Sequence, residues 1–368
     1  MLPMVIDRRT FTAGLAASVL QPVTSAIGNQ RPETQFAANV VEPDGTSAAV
    51  AYSTKLGLLR KTPLPGRGHD LTYSRSAGLL VSFARRPGNF AVAFDYRNRL
   101  PSQTFTSPAN RHFYGHGVFS DDGRLLFTTE NDFANAKGVI GIYDVEAGFK
   151  RVGEHSSFGI GPHDIALLSD GRTLVIANGG LETHPANGRQ PMNIATMRSS
   201  LAYIDRETGD LLERHQLSRQ RQKLSIRHLD VARGDTIVFG CQFKGPKWQA
   251  TELIGFHKRG QELVFLPAGM PATRALRQYV SSISVDRKGE VAGVTSSRGQ
   301  QVVYVDVHQK RVLGQSRFPD VSGVAASAQG GFVLTGGHGD WRASAAASVE
   351  PQTEQWSWDN HAIHIDTE

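Results

Sequence analysis

Short apolar runs alternate with turn-forming polar clusters along almost the whole chain. Typical clusters are Ser-Asp-Asp-Gly-Arg at 120–124, Ser-Asp-Gly-Arg at 169–172 and Asp-Arg-Lys-Gly-Glu at 286–290. Past residue 30 no stretch sustains the 3.6-residue period of an amphipathic helix, and short runs bounded by turns are the mark of strands. The runs recur as a unit of four. HDIALL, TLVIANGG, SLAYID and LLERHQL, from His163 onward, make one such unit. Others start near His69, His116, His228, Ser281 and Ser322, the last being weaker than the rest. The final run, HAIHI at 361–365, has no strands after it; FAANVV, AAVAYSTK and GLLRKTPLP near the N-terminus supply its three partners. Such regular spacing argues against a β-sandwich or a pair of small barrels. It predicts an all-β fold, a seven-bladed β-propeller, whose last blade combines one C-terminal strand with three N-terminal ones. That closure leaves no open sheet edge.

Composition changes this picture little. Glycine is abundant, at 38 of 368 residues, which suits a chain of many tight turns. The net charge of +6 comes from 40 basic and 34 acidic residues that are interspersed, so no basic run marks a nucleic-acid surface. The N-terminus adds more. Asp-Arg-Arg-Thr-Phe-Thr at 7–12, then AGLAASVL, reads as a twin-arginine export signal over residues 1–26, with the propeller filling 27–368. The apolar run is too short to span a membrane. The expected product is a periplasmic monomer. Its one cysteine, Cys241, allows no internal disulfide and reads as a buried small residue.

The chemistry lies in a repeated position. GHDLTY, GHGVF, PHDIAL, RHLDV and NHAIHI each open a strand on a histidine: His69, His116, His163, His228 and His361. The innermost strands of a propeller line its axis, so these five imidazoles are expected to converge at one mouth of the channel. Imidazole is the commonest metal ligand, and three or four of them suit Fe, Cu or Zn. Asp70 and Asp164 follow two of the histidines and are expected to orient them. His228 breaks the pattern: its apolar neighbours fall on the opposite parity, so Arg227 takes the ring position unless a bulge intervenes. The loops after the second strands point to the same face and carry Arg85, Arg86, Glu130, Asn131, Asn178, Gln242 and Arg298, the expected ligand-binding residues. Glu130 is open to a ligand or an orienting role. The histidine interval is 47 residues from 69 to 116 and from 116 to 163, but 65 from 163 to 228. The excess falls in residues 181–199, where a lid carrying His184, Arg189, Asn193 and Met197 is one reading and a packed surface loop the other. No nucleophile elbow, dinucleotide fingerprint, HExxH or CxxC motif occurs.

The phrases RGHD, RRPGNF, RHFYGHGVFS, TENDFANAKGVIGIYD, GPHDIAL, IANGGLETHP, LSIRHL and WDNH together resemble a bacterial exported family, domain of unknown function number fifteen-thirteen. The resemblance runs through the chain after the export segment and departs from the family in the sixth unit. It implies a twin-arginine signal and a genetic neighbourhood of imelysin-like periplasmic proteins and di-haem oxidoreductases, hence a role in iron or copper acquisition. It supplies no catalytic residues. Three functions are therefore expected candidates: a metal-binding accessory protein, a non-haem metal oxidoreductase using the same ring, and an interaction scaffold with a structural ring.

Overall fold

The computed structural model describes residues 33–366 apart from 329 and 345–350. The expected export segment lies outside the described residues. Seven four-stranded antiparallel sheets form the blades of a propeller. Blades one to six occupy residues 68–106, 111–156, 162–216, 224–265, 282–317 and 321–353, each with its first strand innermost. Blade seven places Ser357–Ile365 innermost, followed outward by Gln35–Val41, Ser47–Ser53 and Gly57–Leu64. The closing pair runs from Gln35 opposite Ile365 to Val41 opposite Ser357, which is the closure that the unpartnered HAIHI run predicts.

Position across a blade decides composition. Second strands such as Thr173–Asn178 are buried along their whole length, because both faces pack against neighbouring blades. Outermost strands such as Lys150–Ser156 alternate exposed with half-buried residues. Their charged rims keep the free edge from pairing with another chain. Between blades two and three, Phe127, Ile140, Ile165, Leu174, Ile176 and Ile204 form one apolar layer. Each such side chain contributes about 1.5–3 kcal/mol by leaving water. The turns follow from their aspartates: Asp170 accepts the Arg172 and Thr173 amides, and Asp286 those of Glu290 and Val291.

The weak sixth unit is a blade whose outermost strand is only Gln352–Thr353. Its Trp-rich end serves the closure instead. Trp341, Trp356 and Trp358 pack with Phe36 and Tyr52 in one cluster between blades six and seven. The Trp358 indole N–H donates to the Gly339 carbonyl at 2.8 Å.

The innermost strands depart from expectation in one respect. Arg111–Phe119, Leu224–Ala232 and Ser357–Ile365 start well before their histidines, so His116, His228 and His361 lie mid-strand, not at the first residue. Each of the five histidine-bearing strands breaks register beside its histidine, between Gly68 and Leu71, Phe113 and Gly117, Pro162 and Asp164, Ile226 and His228, and within 358–362. A bulge adds a residue to one strand and re-aims a side chain. In blade four the added residue is Arg227, which lets His228 join the other histidines despite its shifted apolar pattern.

Candidate functional site

All five histidines meet on the propeller axis. Ring centroids lie 4.8 Å apart for His69–His361, His116–His163, His163–His228 and His228–His361, and 5.0 Å for His69–His116. Blades five and six present Ser282 and Ser322 at the corresponding strand positions. None of these five is more than 7% exposed, so the ring lies below the channel mouth rather than at it. Gly115 makes room for this packing: it sits at φ +104°, and a Cβ there would overlap the His69 ring. One nitrogen from each of His69, His116 and His163 falls within 4.8 Å of the other two, and the same holds for His116, His228 and His361. Ligands about 2.0–2.1 Å from a shared ion stand roughly 3–4 Å apart, so small ring rotations close either trio on a metal.

Hydrogen bonding sets the tautomers. His163 Nδ1 donates to the Arg227 carbonyl at 3.0 Å, and His361 Nδ1 pairs with Ser282 Oγ at 3.0 Å. His116 Nδ1 lies 2.8 Å from Asp70 Oδ2 and 3.2 Å from Asp164 Oδ1, bridging two carboxylates off ideal alignment. Four buried ring nitrogens have no partner: His69 Nδ1, His116 Nε2, His228 Nδ1 and His361 Nε2. Burial, then the charge of neighbouring histidines and arginines, holds His69, His163 and His228 well below the usual imidazole range, and burial outweighs the pull of Asp70 to bring His361 down to about 4. These four are neutral, the form a metal requires. His116 is the exception: burial opposes its charge, but Asp164 and Asp70 outweigh it and raise its pKa to about 10, so a metal at its Nε2 would have to displace a proton. Asp230, at the same level, is pushed up to about 6 by burial, against the pull of the Val285 and Val231 amides.

Cavities lie on both sides of the ring. On one side a space of about 300 Å³ is bounded by Asp70, Asp164, Asp230, Ser282 and His361. On the loop side a space of about 40 Å³ is bounded by His69, His163, His228, Arg85, Arg86, Arg189, Arg227, Gln242, Tyr114, Tyr279 and Asn360. Arg85, Arg86 and Gln242 thus stand where the sequence places them. Arg298 lies next to them, stacked at 4.3 Å on Tyr279.

The other expected site residues lie elsewhere. Glu130, Asn131 and Asp132 are not a loop, because the strand Leu125–Asp132 runs through them. That turns Glu130 into blade two, where it accepts from Tyr143, Thr128 and Arg151. Asn131 donates to His112 Nε2 and to the Thr183 carbonyl, and Asn178 to the Ser157 carbonyl. Of the 181–199 insertion only Arg189 reaches the cavity. His184 packs on Phe133, Asn193 braces its own loop, and Met197 is fully buried. Cys241 is fully buried, and burial pushes its thiol up, away from thiolate chemistry. Sequence reasoning missed Tyr114, Tyr279 and Asn360; only the paired blades bring these three to the axis.

Two other features compete less well. A groove of about 790 Å³ lined by Lys247, Trp248, Arg274 and Arg277 contains no acidic or imidazole ligand set. Glu213, His215 and His257 also cluster. There, however, His257 engages Tyr203 and the Gln261 carbonyl through both nitrogens, and Glu213 takes the Gly260 amide.

Hydrazine synthase from Kuenenia stuttgartiensis has a similar fold, with TM-score 0.57 and 12% identity over 81% of this chain and 91% of that one. Comparison with curated proteins finds no match. The model of the family described as "Protein of unknown function (DUF1513)" matches residues 62–365, a span holding all five ring histidines, and the chain belongs to that family.

Proposed function

We propose that the histidine ring holds one first-row transition-metal ion, iron, copper or zinc, and that the protein serves iron or copper acquisition after export to the periplasm. The observation that carries this reading is the pair of buried histidine trios, His69–His116–His163 and His116–His228–His361, whose nitrogens fall within 4.8 Å of one another in a ring that leaves four nitrogens without partners. A buried polar atom left unpaired costs about 1–3 kcal/mol, so four in one ring are a heavy penalty that a metal held by either trio would lessen. A purely structural ring would tie both nitrogens of each imidazole to partners. The Asp70–His116–Asp164 bridge supports the same reading, since a carboxylate on one ring nitrogen is how a ligating histidine is oriented. An all-nitrogen donor set without thiolate suits iron, copper or zinc. The export step rests on the paired arginines at 8–9, and imelysin-like proteins or a di-haem oxidoreductase are the partners this role calls for.

A redox enzyme is the second reading. It is favoured by the two cavities flanking the ring, which leave room for a small polar substrate beside a three-histidine ion.

Elemental analysis of protein purified without a histidine tag tests the proposal. About one equivalent of metal is expected, lost in His116→Ala/His163→Ala while circular dichroism keeps its strand signature. A chain that is metal-free as isolated and takes up no added Fe(II), Cu(II) or Zn(II) would sink it.

A further inference from the structure

The cavity on the loop side of the ring has walls of one sign. Arg85, Arg86, Arg189 and Arg227 all face it, and none of the described residues lining it is acidic. Asp359, the carboxylate paired with Arg85 at 3.1 Å, is also held by Arg67 at 2.6 and 3.0 Å. Arg227 is buried at 4% exposure, and its Nε has no hydrogen-bond partner; neither has Arg86 Nη1. Nearby Lys244, whose Nζ donates to Gln242 Oε1, is brought down to about 7 by burial and then by Arg227, Arg298 and Arg86. A buried cation without a counter-charge is strongly destabilising, so this cluster calls for an anion.

We propose that the arginine-walled cavity binds one small oxyanion of the size of phosphate, carbonate or a short carboxylate. Guanidinium forks match the paired oxygens of such ions, and Tyr279, Gln242 and Asn360 add neutral donors. Size sets the class. One water needs about 10–15 Å³ of such space, so about 40 Å³ holds a few waters or one small oxyanion, not a haem, a sugar or a metal chelate. His69, His163 and His228 form one wall of the same cavity, so the anion borders the ring. That the anion would also complete the coordination of a ring-bound metal rests on the metal reading above; the arginine cage does not.

Titration calorimetry on the full chain separates the two. Metal-free and metal-loaded protein are each titrated with inorganic phosphate, bicarbonate and oxalate in low-chloride buffer near pH 7. One of them is expected to saturate at one per chain in the metal-free protein. Its affinity should fall about tenfold or more in Arg86→Gln and in Arg189→Gln, and stay unchanged in the surface variant Lys150→Gln. Arg189 lies on the exposed insertion, so its variant keeps the fold and decides the matter if Arg86→Gln does not. Arg86→Gln should also raise the melting temperature of the anion-free protein, because it removes a repelling buried charge. Anion binding in a chain that takes up no metal supports the cage and counts only against the ring reading. No binding by either form tighter than about 1 mM overturns the cage, and so does binding that needs metal and ignores both arginine variants.

Discussion

At the scale of single residues, the five histidines divide by what their second nitrogen does. His116 is held by two carboxylates, and the metal reading makes Asp70 and Asp164 responsible for its orientation. Asp70→Asn and Asp164→Asn are each expected to weaken metal binding about 10–100-fold in competition with a chelator, with the melt largely unchanged. Gly115→Ala should weaken it too, by driving a methyl group into the His69 ring from a backbone angle that favours glycine; unchanged metal content in that variant would argue against His69 as a ligand. Acid acts through the buried neutral histidines and through carboxylates elsewhere. In Asp95 burial works against the charge, but the Arg99 side chain and the Arg97 and Arg99 amides prevail and hold its pKa below the ordinary value. In Asp205 burial is likewise outweighed, by the Glu207 and Thr208 amides and by Arg172. A carboxylate with a depressed folded pKa stabilises fully above the unfolded value of about 3.9 and loses that contribution as pH falls through the folded one. Denaturant midpoints of the metal-free protein should therefore begin to fall below about pH 6.5, where the unfolded chain binds protons that buried His69, His163, His228 and His361 do not take up, and fall further below about pH 4, where the drop is less steep in Asp95→Asn.

At the scale of elements, the bulge is the device that builds the site. A regular strand sends alternate side chains to opposite faces, so a histidine flanked by apolar residues of the wrong parity belongs to the wrong face. The extra residue Arg227 cancels that shift and at the same time puts a guanidinium into the cavity on the loop side. The histidines and their repeat were legible in the sequence because spacing and residue type survive without a partner strand. Bulge positions were not, because an extra residue is defined only against the strand it pairs with. The misplacement of Glu130 has the same origin. Its polar neighbours Asn131 and Asp132 read as a loop, yet pairing with both Arg111–Phe113 and Lys137–Val139 continues the strand. Glu130 then serves as the buried counter-charge of Arg151 at 3.1 Å and Arg111 at 3.5 Å. Glu130→Leu is expected to cost about 2 kcal/mol or more in chemical denaturation while leaving metal content intact.

At the scale of the whole molecule, blade seven is a clasp between distant parts of the chain. Removing residues 357–366 would take away its innermost strand, expose the edge of Gln35–Val41 and break the tryptophan cluster. Loss of soluble, cooperatively folded protein is the expected outcome, seen as aggregation at expression and no sharp thermal transition. Metal should act on the same global equilibrium. Free ion at about a hundred times its dissociation constant adds about 2.7 kcal/mol, so chelator treatment is expected to lower the melting temperature of the wild type and not of His116→Ala/His163→Ala. The sequence by itself determined the architecture, the number of blades, the clasp and the convergence of the histidines, since all of these follow from periodicity and residue type. Only the tertiary structure decided that the ring is buried beneath a layer of arginines. It also decided that the Arg227–His228 ambiguity resolves in favour of both residues, and that Arg189 alone of the insertion reaches the axis. These depend on which side chains from seven separate sheets share one small volume, and a linear pattern carries no information on distances between blades.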